Sequence, residues 1–151
     1  MKKLFLALIL VCAALVSARS ATAAAQAAAP SGMPDTVTLG FTTYARSGYA
    51  TAVDAWAKGS SLEIDVVSKN AITKSLSDEE NTAGTFVAAE LIKSVSLSPS
   101  STLVYVFAKY QKGGLYLAFA CSKTPTKWVV TSVVASVDPS KVLPTAILSG
   151  T

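Results

Sequence analysis

Few side chains in this 151-residue chain are able to do chemistry at neutral pH, and their types narrow what that chemistry could be. There is no histidine, which removes the commonest general base, proton shuttle and metal ligand. Glu90 is the most conspicuous carboxylate, because it interrupts the otherwise apolar alternation Phe86, Ala88, Glu90, Ile92. Burial there without a partner would raise its pKa and make it a general acid or base. The plainer reading is a partly exposed strand face, with Glu90 paired to a lysine across the sheet. Asp54 follows Val53 by one position and precedes Trp56 by two, so a helix carries it off the centre of the apolar stripe, to a solvated margin. Tyr44, Tyr49 and Tyr110 can offer hydrogen bonds to a ligand, although aromatics at this spacing equally suit a core. Cys121 closes the alternation Leu115, Leu117, Phe119, Cys121 and reads as a small buried hydrophobe, with no cationic or histidine neighbour to activate it.

Other constellations fall away on spacing. The run Asp78-Glu79-Glu80 lacks the alternating oxygen ligands of a calcium loop and fits a solvated helix start. Ser68 and Lys69 are adjacent, and adjacent residues on a helix do not face each other. Gly113-Gly114 reads as a hairpin and not as a phosphate cradle. No metal site and no cofactor are therefore expected.

The amino terminus carries an address. Lys2 and Lys3 precede 13 uninterrupted apolar residues, Leu4 to Val16, and a small-residue stretch follows. That is the layout of a secretory signal, and the run is shorter than the roughly 20 residues a spanning helix needs. Cleavage could follow Ala18, Ala23 or Ala25. We take residues 1–23 as the signal, 24–35 as a flexible leader and 36–151 as one domain, secreted or periplasmic, with no membrane segment in the mature form. Cys12 is not a lipidation site, since Val11 stands before it where a small residue is required. Cutting after Ala23 removes three of the 13 basic residues and none of the nine acidic ones. The mature charge is then near neutral, and nucleic acid is not an expected partner. Only Cys121 would remain, so no disulfide can form within the chain.

The elements that must position these residues follow from apolar periodicity. Phe41, Ala45, Gly48/Tyr49, Ala52/Val53 and Trp56 repeat at helical spacing, and Gly59 ends that helix. Ser60 and Glu63 form a capping-box pattern for a second helix, with Asp65 in its first turn. Its stripe is Ile64, Val67, Ala71 and Ile72/Leu76, ending near Asn81 to Gly84, with Ser77 to Glu80 read as the opening of a further short turn of helix. From Phe86 the period changes to two. Strands are predicted over Phe86 to Leu97, Leu103 to Tyr110, Leu115 to Cys121 and Trp128 to Val137, joined by short turns. The fold class is therefore α+β, with two or three N-terminal helices packed on a four-stranded antiparallel meander.

Pairing across the Lys112-Gly113-Gly114 hairpin puts Val104, Val106, Ala108 and Tyr110 on one face with Leu115, Leu117, Phe119 and Cys121. The opposite face carries Leu103, Tyr105, Phe107, Lys109, Tyr116, Ala118 and Ala120, and it too is apolar, which a solvent-facing sheet should not be. A homodimer through Tyr105, Phe107 and Tyr116 is one expectation. A carboxy-terminal tail folding back, with Val142, Leu143, Ile147 and Leu148, is the other.

The order of helices, long strand and meander, with the stretches Val104 to Gly114 and Trp128 to Val134, resembles small secreted members of the nuclear transport factor 2-like, or cystatin-like, superfamily. The resemblance covers about Phe41 to Val137. It implies a curved sheet wrapped around a long helix, forming a cone whose mouth holds a small apolar ligand. Tyr49, Trp56, Val106, Phe119 and Trp128 are then the candidates to line that pocket. The superfamily includes ketosteroid isomerase-like and polyketide cyclase-like enzymes, which aim a carboxylate into the cone, but no motif of theirs carries over. The expectation is an exported, non-enzymatic domain that binds a small apolar ligand or a protein partner. An isomerase- or cyclase-like enzyme using Glu90 or Asp54 is the competing class, and a structural or inhibitory envelope protein the third.

Overall fold

The chain, of which a computed structural model describes residues 32–150, turns from loop to helix at Pro34. The signal over residues 1–23, and the leader as far as residue 31, lie outside the described residues. Helix α1 spans Asp35–Ala57. Proline suits its start, because its φ is preset and it brings no N–H to satisfy. Asp35 adds a carboxylate beside the free N–H groups of the first turn. The helix thus begins at Asp35 and not at Phe41, and the end of the presumed leader belongs to it. Thr36, Thr38 and Gly40 mask the stripe, yet Val37, Gly40, Phe41 and Tyr44 are all buried.

Gly48 divides α1. Its φ of 80° and ψ of 173° lie where residues with a Cβ do not go, so two arms, 35–47 and 49–57, meet there at a bend. In a straight helix Val37 and Trp56 would stand about 28 Å apart. Instead the Trp56 Nε1–H donates to the Val37 carbonyl at 3.0 Å, and the rings of Phe41 and Trp56 meet edge to face at 5.0 Å. The arms are folded back on one another. The expected single stripe through Ala45 is thereby corrected: Ala45 is exposed, because the buried face of the first arm runs through Val37, Gly40, Phe41 and Tyr44 and stops before the bend. Gly40 makes the close approach possible, since a Cβ there would lie 1.8 Å from the Trp56 Nε1.

The capping pattern is present but caps something shorter. The Ser60 hydroxyl accepts from the Leu62 N–H at 3.2 Å, and the Glu63 carboxylate accepts from the Gly59 N–H at 2.9 Å; the element they close is a single 3₁₀ turn, Ser61–Glu63. Helix α2 is Val66–Ala83, and its cap is Asp65. That carboxylate accepts from the Ser68 hydroxyl at 2.6 Å and the Ser68 N–H at 3.0 Å, bonds that hold it below the usual carboxylate range. The buried face of α2 is Ile72, Leu76, Glu79 and Ala83. Ile64 and Val67, expected at the head of the stripe, are 85% and 81% exposed, because Ile64 precedes the helix and Val67 sits in its first turn, ahead of the buried face that begins at Ile72. Asp78 to Glu80 lie inside α2, which runs on to Gly84.

Four strands follow, β1 (Phe86–Ser98), β2 (Ser101–Tyr110), β3 (Gly114–Lys123) and β4 (Trp128–Ser136), in an antiparallel sheet of order β1-β2-β3-β4. This is the α+β meander with N-terminal helices that the periodicity predicts. Val104 faces Phe119, Val106 faces Leu117 and Ala108 faces Leu115, so the inner face is the one anticipated. Strand β1 departs from simple alternation, with register shifts between Phe86 and Ala88 and between Leu91 and Lys93. Each shift moves the residues beyond it to the other face. Phe86 therefore pairs with Tyr110 on the inner face, whereas Glu90 pairs with Phe107 on the outer one. A 3₁₀ turn (Pro139–Lys141) and a single-turn helix α3 (Thr145–Leu148) end the chain. In this tail Leu143 is buried, Val142 and Ile147 are half-buried and Leu148 is exposed.

The core lies between the helices and the inner sheet face, with Trp56, Phe119, Leu76 and Leu117 fully buried. Substituting Gly40→Ala should cost about 3 kcal/mol or more, since the rigid indole has no room to yield. The pair Gly40→Ala with Trp56→Phe should cost less than the sum of the two single changes. Urea denaturation checks both; an unchanged midpoint for Gly40→Ala would show that the indole is not seated on this backbone.

Candidate functional site

The interior of the fold is filled by its own side chains. Trp56, Val106 and Phe119, three of the expected pocket residues, have no exposed surface. Phe41, Trp56 and Phe119 contact one another edge to face, with centroids 5.0 to 5.7 Å apart. Tyr49 is half-buried against this core. Trp128, the fifth, borders open volume.

That volume is a groove of about 740 Å³ at the rim of the fold. One wall is the first arm of α1, through Asp35, Thr36, Thr38, Leu39 and Thr42; the other is the end of the second arm, Ala55 and Lys58, with the β3–β4 turn, Lys123 to Trp128. The turn is rigidly made. The Thr124 N–H donates to the Lys127 carbonyl at 2.8 Å, and the Thr124 hydroxyl both donates to that carbonyl, at 2.8 Å, and accepts from the Lys127 N–H, at 3.2 Å. Pro125 presets the corner. Lys123 and Trp128 face each other as the last pair of the β3–β4 ladder. The Lys127 ammonium lies against the end of the second arm, since a Cβ on Gly59 would sit 2.7 Å from its Nζ. The apolar surface of the groove is Leu39, Ala55, Pro125 and the indole of Trp128, and three lysines and four threonines stand around it.

A second polar cluster is buried where α1, α2 and β2 meet. The Tyr44 and Tyr110 hydroxyls share a hydrogen bond of 2.9 Å, with Phe86 stacked on Tyr44 at 4.4 Å. Burial pushes the Tyr110 hydroxyl up to about 12. It pushes Tyr44 up as well, reinforced by the bond to Tyr110 and by Glu80 nearby. Glu79, only 8% exposed, is raised by burial above the usual carboxylate range. It belongs to the buried stripe of α2, three residues after Leu76 and four before Ala83, and that spacing was the signal that a solvated acidic run overlooked. The two tyrosines satisfy each other and are closed to a ligand.

The remaining candidates are dispersed. Asp54 is exposed and bonded to Lys69 at 2.6 Å. Glu90 is exposed on the outer face. Neither borders the groove. Cys121 is buried, and burial pushes its thiol up to about 12. On the outer face Tyr105 is 5% exposed within the single chain; Phe107 and Tyr116 are half-buried, their rings 5.0 Å apart. No protein-family description, curated protein or solved structure matches the chain.

The buried hydroxyls and thiol give a pH dependence of definite sign. Cys121, Tyr44 and Tyr110 hold their protons to higher pH folded than unfolded, so stability is fully present below the unfolded values, near 9 and 10, and is lost as pH rises toward 12. Urea midpoints should be flat from pH 7 to about 9 and then fall. The double substitution Tyr44→Phe with Tyr110→Phe should reduce that fall. Absorbance titration should show Tyr44 and Tyr110 ionising only as the chain unfolds; their ionisation in the folded protein near pH 10 would contradict their burial.

Proposed function

We propose that the chain is an exported, non-catalytic binding domain of the nuclear transport factor 2-like kind, whose rim groove takes a small apolar ligand. The observation that carries this reading is the groove itself. Its volume is within the range of about 300–1,000 Å³ usual for small-molecule sites, and the half-buried Trp128 and 57%-exposed Leu39 offer it apolar surface. The packed interior supports the shift from cone to rim, because Trp56 and Phe119 leave no room for a guest. An isomerase- or cyclase-like activity is less well supported, since Glu90 and Asp54, the carboxylates it would use, both lie in solvent away from the groove. The export signal supports a secreted or periplasmic location.

The test uses the two tryptophans, one buried in the core and one at the groove. Titration with the neutral dye N-phenyl-1-naphthylamine should change the emission of Trp128 with a dissociation constant on the order of micromolar. Leu39→Asp should weaken binding by about tenfold or more, and the Trp128→Phe variant should lose the signal. Native mass spectrometry of protein taken from the exported fraction should show a retained small molecule. Absence of both the retained mass and the dye response would overturn the reading.

A homodimer through the outer sheet face is the second reading, favoured by the half-buried Phe107 and Tyr116 pair and by Val134, 49% exposed beside them in the sheet. Sedimentation at micromolar concentration should give a dimer that Phe107→Lys disrupts; a monomer in the unaltered protein would end this reading.

A further inference from the structure

We infer that the groove selects an amphiphilic anion, a small molecule with an aliphatic or aromatic body and a carboxylate at one end; this rests on the groove being a ligand site at all. Lys58, Lys123 and Lys127 line the groove, with Asp35 as the single carboxylate among its lining residues. Three cations at one small site are notable in a domain whose mature charge is close to neutral. More telling is what the neighbouring acids do.

Asp54 precedes Lys58 by four residues, the spacing at which a helix ordinarily pairs opposite charges. Its Oδ1 turns instead to Lys69 on α2, at 2.6 Å. Glu63, the next acid along the chain, spends its carboxylate on the Gly59 N–H at 2.9 Å. Both acids nearest the 58–59 turn are thus engaged in holding the fold. Among the described residues none of the three groove lysines makes an ion pair, whereas Lys69 and Lys74 do. Lys127 is laid over the Gly59 backbone, which brings its ammonium beside the end of the second arm, where Lys58 stands. The positive charge at this rim is left for an incoming group to neutralise.

The form of that group follows from the surroundings. Leu39, Ala55, Pro125 and Trp128 are interspersed with the cations, so a fully polar anion would leave the indole and the leucine in water. A neutral hydrocarbon would leave the lysines without a counter-charge. A chain or ring system bearing one carboxylate meets both demands, and the hydroxyls of Thr36, Thr38 and Thr126 can donate to its oxygens, that of Thr42 being given to the Thr38 carbonyl. Because the lysines are near solvent, attraction adds selectivity that salt must weaken.

The experiment compares three probes of the same ten-carbon body, sodium decanoate, decanol and decyltrimethylammonium, each as monomers, by calorimetry on the full protein. Decanoate should bind roughly tenfold tighter than decanol and the ammonium most weakly. The preference for decanoate should shrink as salt rises from about 20 to 300 mM. Lys58→Gln with Lys127→Gln should abolish the preference while leaving decanol affinity within about twofold, and circular dichroism confirms that the variant is folded. Equal affinity for all three probes would overturn the charge selectivity and leave the apolar groove standing. Binding of none would overturn both. Binding to phosphatidylglycerol vesicles without binding of monomeric decanoate would overturn it in favour of a membrane surface.

Discussion

The indole of Trp56 resting on the backbone of Gly40, with its N–H given to the Val37 carbonyl, is the contact on which the arrangement depends. It closes the two arms of α1 on each other and, through the edge-to-face stack with Phe41 and Phe119, ties that closed pair to the middle of β3. A bulkier residue at position 40 or a smaller ring at position 56 alters the spacing of the arms, and with it everything packed beneath them. The bend at Gly48 permits this geometry but does not enforce it. The seat at Gly40 does.

Filling the interior in this way moves the available surface to the rim. A large indole and a phenyl ring occupy the space between helices and sheet, and open volume lies in the groove where the start of α1 comes near the β3–β4 turn. The same economy governs charge. Asp54, Glu63 and Asp65 each hold a helix, a turn or a cap in place, and their engagement sets the cations around the groove apart from any internal partner. The charge balance at this rim thus reflects the local bonding of the chain between residues 54 and 69.

Much of this was legible in the residues. The meander, its order, and the division of β2 and β3 into faces follow from strict alternation and from short turns, both of which are local. Cys121 as a core residue and Asp54 as a solvated one follow from the same patterns. The bend at Gly48 was not legible, because glycine at that position is equally compatible with a continuous stripe, and only the distant Val37 carbonyl and Trp56 indole reveal the fold-back. The faces of β1 were misassigned since a bulge leaves no mark in composition. Glu90 is exposed, as the plainer reading of its strand expects, but the bulge and not a half-solvated inner face is the reason, since it turns Glu90 away from the side of Phe86. Likewise the groove joins residues 35–42 to residues 123–128, and no local pattern announces a meeting across that separation.

The irregularities of the sheet carry a consequence for assembly. An open four-stranded sheet has two edges, β1 and β4, each a row of backbone groups that another chain could extend. Strand β1 is interrupted at three places, and β4 carries one shift opposite Ala120 and Cys121. Bulges twist an edge away from flat pairing. Both borders are therefore poor templates for a fifth strand. A second copy brought against this protein would find its faces easier to meet than its edges, and the sheet stays four strands wide instead of extending toward fibres.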